Sequence, residues 1–143
     1  MEVMRMNDHL YKLIRLMYNR YGTHDPFVLS DKLNVERYWS SIGPNPLGMT
    51  SYDDGQPIVT LSDSIKDKPQ RYFVMAHELA HIVEHADLAA YYVTNDLNKG
   101  KLELQADKFA IALLTNLYVD EVGELPEKYD SLVYMYGFPK LHV

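Results

Sequence analysis

The chain has 143 residues, 47% hydrophobic and 24% charged, the length and balance of one globular domain that buries a core without cross-links. It contains no cysteine, so disulfides, thiolate metal sites and a cysteine nucleophile are excluded, and any metal must be held by histidine or carboxylate. A formal charge of −6 repels phosphate backbones and speaks against direct nucleic-acid binding.

The charged N-terminal stretch lacks the apolar run of a signal peptide, and the least charged segment, Phe109 to Val119, is too short to span a bilayer. A cytoplasmic protein, or one released by lysis, without membrane contact is expected. No repeat or low-complexity linker divides the sequence, so residues 1–143 read as a single domain.

In chain order, Leu10, Leu13, Ile14, Met17, Tyr18 and Tyr21 recur at helical spacing, and Gly22 ends the pattern. Asp25-Pro26 opens a short helix through Leu33, stopped by Asn34. From Val35 to Leu61 the pattern turns extended. Leu47 to Tyr52 and Gln56 to Leu61 flank Asp53-Asp54-Gly55, a hairpin turn with positive φ at Gly55, and Val35 to Trp39 supplies a third strand. Connections this short predict an antiparallel sheet.

Asp67 and Pro69 then open a helix to about His85 whose apolar residues (Phe73, Val74, Ala76, Leu79, Ala80, Ile82, Val83) lie on most faces, as in a buried helix. Ala86 to Gly100 reads as an irregular connection. A further helix begins near Lys101 and carries Leu102, Ala106, Phe109, Ala110, Leu113, Leu114 and Leu117 at helical spacing, and Pro126 starts a last short helix through Tyr136. The expected class is α+β: a small antiparallel sheet of about three strands packed on a helical domain, with one buried helix carrying the site.

That helix contains His77-Glu78-Leu79-Ala80-His81, the H-E-x-x-H pattern. Residues four apart share a helical face, so two imidazoles can grip one ion while the glutamate between them stands beside its open side. Two histidines and a glutamate on an otherwise apolar helix are costly to bury without a partner.

A catalytic zinc takes a third protein ligand. Asp87 sits where a metzincin has its third ligand, but position 84 is Glu rather than the Gly that pattern needs. His85 lies one further turn along the same straight helix, which suits an outer or surface role. Glu103 is the better candidate: it shares a helical stripe with Ala106, Asp107 and Ala110, whose small members allow close approach to Ala76 and Ala80. Asp107 can then accept a hydrogen bond from the outer N–H of a ligand histidine.

Phe73-Val74-Met75-Ala76-His77-Glu78-Leu79-Ala80-His81 with His85 following, then Glu103-x-x-Ala106-x-x-Phe109-Ala110-x-x-Leu113-Leu114, resembles the ImmA/IrrE family of zinc metallopeptidases. Asp25-Pro26-Phe27 and the hairpin ending in Ile58-Val59-Thr60-Leu61 are similar too, so the resemblance runs from about Asp25 to Leu114. The family commonly has Met-Pro after the Leu-Leu pair, where this chain has Thr115-Asn116.

The resemblance implies that His77, His81 and Glu103 bind zinc, that Glu78 is the general base, and that the arrangement is gluzincin-like. It further implies a helix-turn-helix repressor of a prophage or other mobile element as the protein cleaved or inactivated. Peptide hydrolysis also calls for a second oxyanion donor, for which Tyr52, Tyr91, Tyr92 and His85 qualify by nearness or chemistry. The acidic charge admits another reading, an anti-repressor that sequesters a basic DNA-binding partner without cleaving it. A toxin component would share the same chemistry.

Overall fold

The computed structural model describes residues 8–85 and 96–140, with the backbone alone described for Asp8, His85 and residues 96–98. The first helix, α1 (Asp8–Tyr21), buries Ile14 and Met17 and leaves Tyr11 and Leu16 exposed. Gly22, at φ +74°, ends it. In α2 (Pro26–Lys32) the Asp25 side chain accepts the Phe27 N–H at 2.9 Å, satisfying a donor of the first turn, and Asn34 leaves in the left-handed region at φ +60°.

Three strands follow, β1 (Glu36–Ser40), β2 (Gly48–Asp53) and β3 (Gln56–Ser62), in the order β1-β3-β2. The turn between β2 and β3 has positive φ at Asp54 and Gly55 (+51° and +84°), as a two-residue hairpin requires. The α+β class and the three strands agree with the sequence, whereas the expected wholly antiparallel sheet does not hold. β2 pairs antiparallel with β3, but β1 pairs parallel with it, Tyr38 beside Thr60.

The reason is topological. Residues 41–47 carry the chain from β1 past β3 to the opposite edge of the sheet, and the hairpin then returns β3 into the middle, running with β1. The short-connection rule governs strands joined directly, and β1 and β3 are joined only through β2. β1 is tied back to α2 by Arg37, whose Nη1 donates to Ser30 Oγ at 2.6 Å and to the Phe27 carbonyl at 3.2 Å.

After a single 3-10 turn (Asp63–Ile65), α3 (Gln70–His85) begins immediately past Pro69. Met75, Ala76, Leu79 and Ala80 are fully buried, so α3 is the central helix its apolar faces predict. α4 (Asp96–Val122) is longer than expected: it starts five residues before Lys101 and takes Gly100 into its first turns, absorbing the end of the segment read as irregular. The remainder of that segment, 86–95, lies outside the described residues. Gly100 costs a helix about 1 kcal/mol, an amount that packing of the apolar residues further along outweighs.

The last helix, α5 (Tyr129–Tyr136), starts three residues after Pro126 and ends at Gly137 in the left-handed conformation. One apolar cluster joins these elements, with Leu29, Val59, Leu61, Met75, Phe109 and Leu113 at its centre. Among the described residues, no helix is long and apolar enough to cross a membrane.

Candidate metal centre

α3 and α4 meet along a seam of small residues. Ala76, Ala80, Ala106 and Ala110 are all fully buried there, which lets the helix axes approach closely enough for polar side chains at one end of the seam to touch. Those side chains are His77 and His81 from α3 and Glu103 from α4. One ligand atom of each lies within 4.8 Å of the others. His77 Nε2 is 2.7 Å from Glu103 Oε2, His81 Nε2 is 3.1 Å from Glu103 Oε1, and the two Nε2 atoms are 3.3 Å apart.

The spacing of the two histidines fits a metal, while His77 and Glu103 are in direct hydrogen-bond contact. Two nitrogens each bonded to a tetrahedral zinc at its usual bond length are about 3.3 Å apart, the spacing found between the histidines. Two imidazole nitrogens and one carboxylate form a donor set for a borderline divalent ion with an open coordination position.

Asp107, one turn beyond Glu103, accepts a hydrogen bond from His77 Nδ1 at 2.7 Å. That bond fixes the ring orientation and leaves Nε2 aimed at the cluster. Burial acts to lower the pKa of His77, but the charges of Glu78 and Glu103 and the hydrogen bond and charge of Asp107 outweigh it, and the net direction is up. The site thus favours positive charge at Nε2, whether proton or metal.

Glu78 points from the same helix toward the sheet and is 7% exposed. Its Oε1 accepts a hydrogen bond from Thr50 Oγ1 at 2.8 Å, while Oε2 lies 4.0 Å from His77 Nε2. One oxygen is held and the other faces the cluster. Burial raises the Glu78 pKa, and the neighbouring Glu103 charge adds to this, against the opposing effects of His77 and of the Thr50 hydrogen bond. A carboxylate with a raised proton affinity beside a metal-binding cluster has the properties of a general base.

Thr50 did not emerge from the sequence. The alternation of β2 places Gly48, Thr50 and Tyr52 on one face, but only the packing of β2 across α3 shows that this face meets Glu78. The approach depends on Gly48, since a Cβ there would lie 2.5 Å from Val74 Cγ1 and 3.2 Å from Glu78 Cγ.

Of the other residues singled out in the sequence, Tyr52 lies two positions past Thr50 on the same face of β2, 42% exposed. His85 is the last residue of α3. Asp87, Tyr91 and Tyr92 lie outside the described residues.

The family model for the IrrE N-terminal-like domain of the M78 peptidases matches residues 31–117, a span holding all three strands, α3 and the α4 residues of the cluster. No significant match to a curated protein or to a solved structure accompanies it. The match covers more than half of the chain, which therefore belongs to this metallopeptidase family, the ImmA/IrrE family of the sequence resemblance.

Proposed function

We propose that this member of the family is a zinc-dependent endopeptidase, acting in the cytoplasm on a helix-turn-helix repressor or a similar regulatory protein. The observation that carries the hydrolytic reading is the division of labour in the Glu78 carboxylate: Thr50 holds Oε1, and Oε2 faces the cluster of His77, His81 and Glu103.

His77, His81 and Glu103 would hold the ion, zinc by the chemistry of the donor set. Bound there, it supplies Lewis-acid polarisation of the scissile carbonyl and acidifies water. Glu78 takes the proton of the attacking water at Oε2 and returns it to the amide nitrogen as the carbon–nitrogen bond breaks. Asp107 keeps His77 in the required tautomer, and Thr50 keeps Glu78 from swinging away.

A peptide substrate is supported by the neighbouring strand. Among the described residues β2 pairs only with β3, so its other edge presents backbone groups to which an extended chain can add. The charge of −6 suits a basic partner such as a DNA-binding domain.

Incubating the zinc-loaded protein with candidate helix-turn-helix repressors should give a few discrete fragments from its partner, absent with Glu78→Gln and with a chelator. A repressor that stays intact yet loses operator binding equally well with Glu78→Gln would make sequestration the function and remove the peptidase reading for that partner.

A further inference from the structure

A cavity of about 220 Å³ adjoins the histidine–carboxylate cluster. Its walls are Pro46 and Leu47 from the loop before β2, Gly48 at the start of that strand, and Phe73 and Val74 from the turn of α3 ahead of His77. His77, Glu78 and Glu103 complete its lining. Among the described residues, no charged side chain lines it apart from the cluster and Glu78, so the cavity offers apolar contact at one end and the hydrolytic groups at the other.

We propose that this cavity is a specificity pocket that takes one apolar side chain, of leucine to phenylalanine size, from the residue flanking the scissile bond. Leu47, Phe73 and Val74 set its selectivity. The proposal rests on the peptidase reading of the site and adds the class of residue cleaved.

Three features support this occupant. The size fits, because an apolar cavity of about 150 Å³ already admits a benzene ring. The position fits, because a peptide extended along β2 presents alternate side chains to one side, and Gly48 brings that strand directly against Val74 and Glu78. The electrostatics fit, because Glu78 and Glu103 at the mouth repel an acidic side chain, while the apolar walls give a charged one no partner.

The test uses the full chain in two arms. In the first, the zinc-loaded protein is given internally quenched peptides varied around the cleaved bond, and fragment termini are read by mass spectrometry. Leucine, methionine and phenylalanine should be preferred over glycine and aspartate on one side of the bond by at least about tenfold. Val74→Ala should raise the rate with tryptophan relative to leucine by several-fold or more, and Leu47→Ala, on the loop wall, gives the same reading should the helix variant fold poorly.

In the second arm, methyl spectra of the metal-free protein are followed on addition of isocaproamide, a mimic of the leucine side chain, with acetamide as control. Isocaproamide should shift the Leu47 and Val74 methyl signals and leave those of exposed Leu104 and Ile111 in place. Cleavage that requires Glu78 but ignores the flanking residue overturns the pocket and leaves the peptidase reading standing. Should no short peptide be cleaved, cleavage of the repressor still decides the peptidase reading and the second arm decides the pocket: selective shifts at Leu47 and Val74 support an apolar side-chain pocket, and shifts matched by acetamide, or none, refute it.

Discussion

Replacing Gly48 by alanine tests the contact on which the site geometry depends. The added Cβ would sit 2.5 Å from Val74 Cγ1, whereas carbon atoms pack best at about 3.5–4.0 Å, so the Val74 side chain or the two elements must give by about 1 Å. Overpacking of this kind costs about 1–3 kcal/mol. The reduced freedom of the unfolded chain returns about 0.4–1 kcal/mol, leaving an expected net loss of up to about 2.6 kcal/mol.

Urea titration reads this as a lowered midpoint with unchanged slope. The steric origin is isolated by repeating the substitution in a Val74→Ala background, where the clashing methyl is gone. There Gly48→Ala should cost at least about 1 kcal/mol less, a coupling well above the scatter expected of independent sites. Gly55→Ala is the control: its glycine has φ +84° with nothing within 4 Å of where a Cβ would lie, so its cost is conformational and should be the same in both backgrounds. If Gly48→Ala costs as much in the Val74→Ala background as in the parent, the close approach of strand and helix is not what holds Thr50 against Glu78, and the steric account is refuted.

Three further outcomes are expected. Thr50→Val removes the donor to Glu78 Oε1, a bond to a charged group worth about 1.5–3 kcal/mol; kcat on a cleaved peptide should fall about ten- to a hundredfold with KM little changed, and Thr50→Ser should recover most of it. By elemental analysis the purified protein should carry close to one zinc per chain, lost in His81→Ala and Glu103→Gln, weakened about ten- to a hundredfold in affinity by Asp107→Asn, and kept by Glu78→Gln; full retention by both His81→Ala and Glu103→Gln would remove the ligand assignment. Burial, helped by the hydrogen bond to Glu121, pushes the Tyr136 phenol well above its usual range, so its contribution to stability is complete below about pH 10 and falls as pH rises beyond, because the unfolded chain gives up that proton first. Alkaline urea titrations should therefore show a decline in the parent, of at most about 1.4 kcal/mol per pH unit from this group, that Tyr136→Phe lacks; equal pH profiles would refute it.

Features set by neighbours along the chain were legible in the sequence. The spacing of His77 and His81 is a property of one helix, fixed by its 3.6-residue period, and so is the stripe that aligns Glu103 with Ala106, Asp107 and Ala110. The cap at Asp25 and the Asp54-Gly55 turn are equally local, since each depends on hydrogen bonds and φ angles within a few residues.

Tertiary structure decided what depends on how elements are laid across one another. Strand alternation groups Gly48 with Thr50 but does not say which helix their face meets, so the Thr50–Glu78 bond became visible only once β2 was placed over α3. The parallel pairing of β1 arises because the hairpin returns β3 to the centre of the sheet, a choice between two edges that no local pattern encodes. The cavity beside the cluster is likewise made where residues 46–48 meet Phe73 and Val74, more than twenty positions apart in the chain. Local periodicity fixes which side chains share a face, and only packing of the apolar core fixes which faces meet.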